Sequence, residues 1–425
     1  MEEFLVRRKA LMQANPGAAF LIPSPVLSIR NGDVYHLFRQ DSDLYYLTGF
    51  QEAESCALLL EGRLVLFVMP SDPLKELWEG KRYGLQGAQA ISGADAVYPI
   101  TELRTRLAEL LKDTQRLYYR LGRDASRDRW VIAVLQEIQQ KKGRLAGGLL
   151  PVMDPSSILG EMRLLKSPGE LELIKKACSI SARAHRLVME EVRSGMVERE
   201  VEARFEFLVK SQGCSRLGYP TIVAGGSRAT CLHYHTNDQI LEDGTCLLVD
   251  AGGEFEYYTA DITRTFPVGK NFSKVQAKLY DLVLAAQKQA IGMVAPGVPV
   301  NEIHQRASEV LMQGVLSLDL LPAERSELGL KAFYPHATSH WLGLDVHDAG
   351  EYKDKQGIWR MLEKGMALTV EPGCYVRPAD NVPEHFWNIG IRIEDDAVVT
   401  ESGCEIITKA APKKVCEIEA LMQDD

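Results

Sequence analysis

Two aspartates in the middle of the chain have the type and spacing to hold a metal ion. Asp250 ends the apolar run 247–249, and Asp261 interrupts a second apolar run just past a glycine turn. Neighbouring antiparallel strands can bring two such carboxylates side by side. Buried together they would repel, and one would have to keep its proton, whereas a divalent cation removes that conflict. An exposed acidic hairpin would explain the same pair, so both interpretations stay open at this point.

Two glutamates further along also stand at the ends of apolar runs. Glu371 follows the run 368–370, and Glu394 closes the segment Ile-Arg-Ile-Glu. Strand alternation places Arg392 and Glu394 on one face, and the two isoleucines on the other. The isoleucines are then expected in the core, with the charged pair facing a cavity or water. Charged residues are common at strand ends, so each of these glutamates alone is weak support for a site.

The histidines concentrate near these carboxylates. Five of the nine fall in two clusters, namely His233 and His235, and then His336, His340 and His347. A lone histidine among apolar residues is usually a packed core residue, but three at spacings of four and seven are harder to explain that way. Four carboxylates with one imidazole form an oxygen-rich set. Such a set suits Mn²⁺, Co²⁺ or Zn²⁺ and does not suit copper or iron–sulfur chemistry.

The elements that would position these residues are mostly strands flanked by helices. The pattern predicts strands over 247–250, 257–265, 367–370 and 390–394, the last followed by an acidic turn at Asp395 and Asp396. A capping box at residues 167–170, with proline at the first helical position, predicts the start of an amphipathic helix. Helices beside a mostly antiparallel sheet indicate an α+β domain.

The first part of the chain has a different character. It mixes short strands and helices, with a predicted hairpin around residues 61–63, and a linker rich in proline and serine follows at 151–157. We therefore expect two domains, 1–157 and 158–425. Within the second, residues 195–201 resemble 297–303, offset by 102. Either two related halves face each other across a cleft, or two helices share a common start signal.

Composition excludes several classes of protein. The 425 residues are 46% hydrophobic and 25% charged, as in an ordinary soluble globular protein, and the net charge is −9. An acidic chain is a poor partner for nucleic acid, since it gains nothing from phosphate neutralisation. No apolar run is long enough for a membrane helix, the N-terminus does not resemble a signal peptide, and eight scattered cysteines indicate reduced thiols. We expect a cytoplasmic protein without a membrane partner.

The motifs together resemble a known family. The segment from Asp250 to Asp261, the segment Ser-His-Trp-Leu-Gly-Leu-Asp-Val-His at 339–347, and the two glutamate strands resemble the pita-bread metallopeptidases in order and spacing. Residues 35–50 resemble the amino-terminal domain of the aminopeptidase P group within that family. The resemblance covers nearly the whole chain. It implies an α+β fold with a smaller N-terminal α/β domain and a C-terminal pita-bread (creatinase/aminopeptidase-like) domain built from pseudo-twofold halves.

The resemblance also implies a role for each candidate residue. Two divalent ions, Mn²⁺ first with Co²⁺ or Zn²⁺ as alternatives, would be held by five ligands: Asp250 on one ion, His340 and Glu371 on the other, and Asp261 and Glu394 bridging both. Glu371 would also shuttle a proton to the leaving proline nitrogen. His233 and His347 would hold the substrate and the tetrahedral intermediate, His336 would line the proline side, and Arg392 would anchor an acid. Trp78 would reach into the site of a neighbouring subunit in a homo-oligomer, a dimer or a tetramer, although an ordinary packing role explains it equally well.

The implied activity is hydrolysis that releases the N-terminal residue from peptides with proline second. Prolidases share the metal site but cleave only Xaa-Pro dipeptides, and the wording of segment 339–343 favours the aminopeptidase. A non-catalytic pita-bread binding module is a more remote alternative, because such modules typically lose ligands and all five are present here. Ala337, where the family usually has glycine, and the additional His235 depart from the family pattern and put the fine substrate preference in doubt.

Overall fold

The structure, a computed structural model, describes residues 1–145, 147–321 and 327–423. The chain divides into two units, Met1–Met162 and Arg163–Asp425. The boundary falls within the helix Ser156–Leu164, so Ser156 and Ser157, expected in a linker, are helical instead. Asp154 explains this start, because its side chain accepts a hydrogen bond from the Ser156 amide at 2.7 Å, as a capping residue does.

The first unit is built on one mixed sheet, which confirms its predicted α/β character. Its strands are β1 (Ala18–Pro23), β2 (Ile29–Asn31), β3 (Val34–Tyr35), β4 (Cys56–Leu60), β5 (Arg63–Val68), β6 (Ala96–Pro99), β7 (Arg116–Tyr118) and β8 (Val152–Met153). The sheet order is β6-β5-β4-β1-β7-β8, with β2 and β3 forming a separate hairpin. The predicted hairpin around residues 61–63 is confirmed: β4 pairs with β5 across a turn in which Glu61 and Gly62 both have positive φ.

Helices cover this sheet. They are α1 (Glu2–Ala14), α2 (Ser42–Thr48), α3 (Pro73–Glu79), α4 (Gly84–Ser92), α5 (Leu103–Leu110) and α6 (Ala125–Lys142), followed by α7 (Ser156–Leu164) at the boundary. Apolar residues of α5 and α6 share one buried cluster with side chains of β1, β4 and β5. In α3, by contrast, no residue is buried.

The second unit has an α+β arrangement. Its helices are α8 (Pro168–Glu191), α9 (Glu198–Ser211), α10 (Lys274–Ile291), α11 (Val300–Ser317), α12 (Glu327–Leu330) and α13 (Val415–Gln423). Its strands are β9 (Arg216–Leu217), β10 (Ile222–Gly225), β11 (Cys246–Asp250), β12 (Gly253–Phe255), β13 (Tyr258–Thr259), β14 (Thr263–Pro267), β15 (Ala367–Val370), β16 (Gly373–Val376), β17 (Ile389–Arg392), β18 (Asp395–Val399) and β19 (Cys404–Ile406). All the strand pairs are antiparallel.

The capping box predicted at the start of α8 is present. The Ser167 hydroxyl accepts from the Glu170 amide at 3.2 Å, and the Glu170 carboxylate accepts from the Ser167 amide at 3.0 Å. The helix buries one face at helical spacing against the strands of the unit. Among the described residues, no helix is both long enough and apolar enough to cross a membrane.

Matching hydrogen bonds confirm the internal repeat. The stretches that lead into α9 and α11, offset by 102 residues, each run antiparallel to a second stretch, 239–241 in the first half and 360–362 in the second. In the first half, Gly195 contacts Leu241, Val197 contacts Ile240, and Glu198 contacts Gln239. In the second half, the equivalent contacts are Gly297 with Leu362, Pro299 with Met361, and Val300 with Arg360. Two related halves are therefore present, rather than two helices that merely share a start signal.

Each half contributes a three-stranded sheet, β10-β11-β14 in the first and β15-β18-β19 in the second. Strand β11 ends at Asp250, and Glu371 follows β15 directly. The predicted strand over 257–265 is instead divided into β13 and β14. Asp261 lies in the interval between them, where its backbone amide donates to Asp396 at 2.9 Å rather than to a neighbouring strand.

The acidic turn predicted at Asp395 and Asp396 is wrong. Both residues begin β18 and are fully buried. Arg264 donates to Asp395 at 2.7 Å, and Lys413 pairs with the same carboxylate at 2.5 Å. Burial opposes the ionisation of Asp395, but these two cations outweigh it and lower its pKa to about 2. Cations that are distant in sequence thus stabilise a buried acid where the local sequence indicates a turn.

Candidate active site

A cavity of about 490 Å³ in the second unit brings most of the predicted site residues together. Its lining includes His233, Asp250, Asp261, His336, His340, His347, Glu371, Arg392 and Glu394, together with His235. The carboxylates arrive from the ends of β11 and β15, from the interval before β14 and from the two-residue link between β17 and β18. Since these elements belong to both halves, neither half alone contains the group.

Three of the side chains form a compact donor cluster. Atoms of Asp261, His340 and Glu394 all lie within 4.8 Å of one another. The His340 Nε2 atom is 3.3 Å from an Asp261 oxygen and 3.5 Å from a Glu371 oxygen. Two contacts orient the His340 ring: its amide donates to the Thr369 hydroxyl of β15 at 3.2 Å, and its Nδ1 lies 3.1 Å from the Trp341 carbonyl. Its Nε2 is thereby directed at the carboxylates.

Asp250 is held at the edge of this cluster by two donors. Arg392 Nη2 is 2.6 Å from one oxygen, and the Tyr219 hydroxyl donates to the other at 2.7 Å. Arg392 also donates to the Tyr375 hydroxyl and, through Nε, to the Thr263 hydroxyl. The arginine predicted to anchor an acid of the substrate or another ligand therefore contacts an acid of the protein itself. A carboxylate oxygen has two lone pairs, so these bonds leave Asp250 able to contact a cation.

Glu394 is oriented by Thr263, the first residue of β14. The Thr263 hydroxyl donates to a Glu394 oxygen at 2.7 Å while it accepts from Arg392 at 3.1 Å. Arg264, which is fully buried, donates to the backbone carbonyls of both Thr263 and Glu394. These contacts fix the distance between the segment that carries Asp261 and the segment that carries Glu394.

The charges of the cluster fit a divalent cation. Burial and the charge of Asp261 raise the pKa of Glu371 to about 7 against the opposing effect of His340, and burial with the other carboxylates raises the pKa of Glu394 well above its usual range. Burial lowers the pKa of His340, but Asp261 and Glu371 outweigh it and raise that pKa to about 9. A divalent ion would take the place of the protons that these groups otherwise hold. Oxygen atoms dominate the donor set, which fits Mn²⁺, Co²⁺ or Zn²⁺.

The other histidines surround the cluster without joining its three-residue core. Burial and Arg392 lower the pKa of His336 to about 4, so this ring is neutral, with Nε2 2.8 Å from the Tyr375 hydroxyl. The His347 ring lies 4.4 Å from that of His340, nearly perpendicular to it, and burial with His340 lowers the pKa of His347. His233 is at the exposed side of the cavity, with its ring nearly parallel to that of the additional His235.

Trp78 is placed elsewhere. It lies on α3 in the first unit, and its exposed fraction is 87%. Leu74 and Leu77 on the same helix are exposed to 78% and 80%. The structure therefore brings nine of the ten predicted residues into one cavity and leaves Trp78 as part of an exposed apolar surface of the other unit.

Sequence reasoning missed the two tyrosines and the threonine of the site. Tyr219 is hydrogen-bonded to Asp250, and Tyr375 to His336. The Thr263 hydroxyl connects Arg392 with Glu394. Tyr375 reaches Arg392 because β16 pairs with β17, with Tyr375 opposite Gly390 and Arg392 opposite Gly373. Tyr219 lies in a short segment between two strands that no periodicity marks.

Comparisons with known proteins agree with this geometry. Residues 172–401 match the model of metallopeptidase family M24, and residues 4–118 match the N-terminal domain of aminopeptidase P. The Xaa-Pro aminopeptidases of Haemophilus influenzae and Escherichia coli are 40% and 37% identical to this chain, each over 99% of it and 97% of the relative.

Solved structures show the same relationship. The aminopeptidase PepP of Pseudomonas aeruginosa superposes with a TM-score of 0.94 at 43% identity, covering 99% of this chain and 97% of that one. The zinc-substituted Escherichia coli aminopeptidase P in complex with product superposes with a TM-score of 0.93 at 38% identity, covering 99% and 98%. The similarity thus spans both units of the chain.

Proposed function

The chain belongs to metallopeptidase family M24, and we propose that it removes the N-terminal residue from peptides whose second residue is proline. One observation carries the proposal. The cavity that holds the cluster of Asp261, His340 and Glu394 also contains Asp250 and Glu371, in a chain similar to Xaa-Pro aminopeptidases over nearly its whole length. The enzyme is accordingly a metal-dependent hydrolase.

The donor set supports two divalent ions, with Mn²⁺ the first expectation. Asp250 would hold one ion, His340 and Glu371 the other, and Asp261 and Glu394 both. The bound ions would supply an activated water and polarise the carbonyl of the bond to be cleaved. The five residues supply the charge that such ions need, since burial and mutual repulsion already raise the pKa of Glu371 and Glu394.

The remaining residues would act on the substrate. Glu371, which lines the cavity beside His340, would carry a proton to the leaving nitrogen of proline. His233 and His347 flank the cluster and would donate to the developing negative charge on the carbonyl oxygen. His336 is neutral and lies against Tyr375, so it offers a flat, uncharged wall for the proline ring.

Proline at the second position sets a particular demand. The Xaa-Pro bond is a tertiary amide without an N–H, so a site cannot select it through that donor. A cavity that instead packs the ring and holds the free amine can do so. We assign the proline ring to the side of His336. Arg392 remains the proposed anchor for an acid of the substrate or another ligand, and its guanidinium is held in place by Asp250 and Tyr375.

The decisive experiment compares peptides of different length after Mn²⁺ loading. Mass spectrometry of an Xaa-Pro-Xaa-Xaa digest should show loss of the first residue only, whereas the same peptide with alanine at the second position should stay intact. Cleavage of Xaa-Pro dipeptides alone would instead identify a prolidase. Metal uptake without any cleavage would favour the binding module and contradict the proposal.

We also propose a cytoplasmic homo-oligomer, a dimer or a tetramer, whose chain has the domains 1–157 and 158–425. The exposed Leu74, Leu77 and Trp78 on α3 support the oligomer, because monomeric proteins seldom expose adjoining large apolar side chains. In such an oligomer Trp78 would reach the site of a neighbouring subunit. Light scattering of the wild type and of Trp78→Ala tests this. A monomeric wild type with full activity would contradict it.

A further inference from the structure

Glu198, at the start of α9, has no role in the site described so far, yet it is fully buried. One of its oxygens accepts from the Gly225 amide at 2.8 Å and from Arg228 Nε at 2.7 Å. The other accepts from the Tyr234 hydroxyl at 2.8 Å and from the Gln239 amide at 3.1 Å. Four donors therefore converge on a single carboxylate.

All four donors lie on one segment, residues 225–239, which we call the clasped loop. The loop leaves β10 at Gly225 and returns to the stretch beside α9 at Gln239. Its middle carries His233 to the cavity, and Glu198 contacts the beginning, the middle and the end of it. A single side chain thus fixes the path of the backbone that presents this histidine.

The direction of Tyr234 explains how the clasp orients His233. Tyr234 lies between His233 and His235 in sequence, and its hydroxyl is held by Glu198 on the inner side. His233 and His235, its two neighbours in sequence, both line the cavity, with ring centroids 6.3 Å apart and planes 14° apart.

Only an ionised carboxylate can serve these four donors. Burial and the bond to Glu198 raise the pKa of Tyr234 to about 12, so this hydroxyl stays a donor. Arg228 supplies the opposite charge that a buried carboxylate needs. Glutamine at this position would keep one oxygen but would turn an amide N–H towards two of the donors. Two buried donors would then lack an acceptor, and the loop would have to move.

We infer that Glu198 is a positioning residue for His233, which it holds towards the substrate through the clasped loop. This inference rests on the proposed function, in which His233 contacts the substrate. A displacement of about 1 Å in a group that contacts the reacting atoms can lower a rate by about 10²-fold. For Glu198→Gln we therefore expect kcat/KM to fall by about 10- to 100-fold while the metal content stays at the wild-type value.

The test is a double-mutant cycle. Glu198→Gln, His233→Ala and the combined variant are compared by kcat/KM, metal content and melting temperature. If Glu198 acts through His233, adding Glu198→Gln to His233→Ala changes kcat/KM by no more than about twofold. A purely structural role would multiply the two losses, and a wild-type kcat/KM in Glu198→Gln would equally overturn the inference.

Glu200→Gln is the matched control. It makes the same chemical change on the same turn of α9, but Glu200 is exposed and its carboxylate accepts from the Val197 amide rather than from the loop. We expect its kcat/KM to be that of the wild type. Should Glu198→Gln fail to fold, Tyr234→Phe removes only one of the four contacts. It should then lower kcat/KM several-fold in the wild type and leave it unchanged in His233→Ala, and equal losses in both backgrounds would overturn the inference.

A measurement independent of catalysis separates the two proposals. Hydrogen exchange in peptides covering residues 225–239 should be faster in Glu198→Gln than in the wild type. The Gly225 and Gln239 amides bond different oxygens of Glu198, so replacing one oxygen by an NH₂ group leaves one of these two amides without its acceptor. Glu200→Gln should leave it unchanged. If the wild type cleaves no proline peptide, the proposed function fails, whereas unchanged exchange in Glu198→Gln refutes the clasp itself.

Discussion

The two halves of the second unit each bring a histidine to the cavity beside a buried carboxylate, but they hold it in opposite ways. In the first half, Glu198 on a helix accepts hydrogen bonds from the loop that carries His233. In the second half, the carboxylate belongs to the loop itself, since Asp348 directly follows His347. At the position equivalent to Glu198, the second half has Val300, which is buried in an apolar cluster.

The partners of the two carboxylates differ as well. Glu198 is met by two backbone amides, a hydroxyl and the partly exposed Arg228. Asp348 is met by Lys166 at 3.1 Å and by Arg163, whose side chains are exposed by only 1% and 4%. Burial opposes the ionisation of Asp348, but Lys166 and Arg163 outweigh it and hold its pKa below the usual range.

This difference shows that two related halves can use a buried carboxylate for different purposes: one to position a loop, the other to stabilise the fold. Several neutral donors fix the position of the clasped loop without a large charge imbalance. Removing one partner of a buried ion pair costs about 3–5 kcal/mol, because the other charge is left without compensation. We therefore expect loss of the Glu198 carboxylate to affect turnover, and loss of the Asp348 carboxylate to affect unfolding.

The largest effect is expected at Asp261 and Glu394, the proposed ligands that the two halves contribute to the same ions. Asp261→Asn in the first half and Glu394→Gln in the second should each lower the metal content and reduce kcat/KM by more than about 10³-fold, beyond the loss expected for one oxyanion donor. Elemental analysis and kinetics after Mn²⁺ loading measure both. Asp281→Asn, an exposed aspartate on α10, serves as control. Full metal content in either variant would show that the halves do not share the ions.

The next way compares the histidines of the two halves. His233→Ala and His347→Ala should each keep the metal and lose about 10²- to 10³-fold in kcat/KM, as expected for a lost donor to developing charge. His340→Ala should instead lose metal, because its Nε2 lies within the donor cluster. His385→Ala, an exposed histidine outside the cavity, is the control. Metal loss in His347→Ala as large as that in His340→Ala would contradict this division.

The ion pair of the second half gives the third prediction. Asp348→Asn should lower the free energy of unfolding by about 3–5 kcal/mol, because Lys166 stays buried without its acid and Arg163 loses its buried partner. Urea unfolding measures the change. Asp345→Asn removes a second partner of Arg163, but that side chain is 41% exposed, so we expect a loss of less than about 1 kcal/mol. Similar losses of unfolding free energy in the two variants would show that the buried Asp348 contributes no more to stability than the partly exposed Asp345.

The smallest effect tests the apolar helix start of the second half. Ile303 on α11 is fully buried, and the equivalent residue in the first half is Val201, which is also fully buried. Ile303→Val should lower the free energy of unfolding by about 0.5–1.5 kcal/mol and leave kcat unchanged. A fall in kcat without a stability change would show that this half, too, positions its histidine through the helix start.

Much of the site could be predicted because its residues stand at strand ends or in one dense histidine segment. Asp250 and Glu371 follow apolar runs of the kind that form buried strands, and His340 is surrounded by small and apolar residues. The capping box at Ser167 and Glu170 is equally local. Each of these signals depends only on residues close in sequence, and the offset of 102 residues was visible for the same reason.

What could not be predicted depends on partners far away in the chain. The sequence predicts an acidic turn at Asp395, because no local pattern identifies Arg264 and Lys413 as its cations. Glu198 was visible only as part of a helix start, because its four donors lie 27 to 41 residues later. A carboxylate's function is set by what meets it after folding, and the sequence near it does not show this.

The contribution of both halves to one site also affects when the enzyme becomes active. A chain still being synthesised would lack part of the proposed ligand set until Glu394 has been made, and the Pro412 carbonyl and Lys413 that support Arg264 and Asp395 come later still. Hydrolysis would therefore have to wait until the second half has been synthesised through these residues. A chain that stops before Glu394 would leave the peptides around it intact.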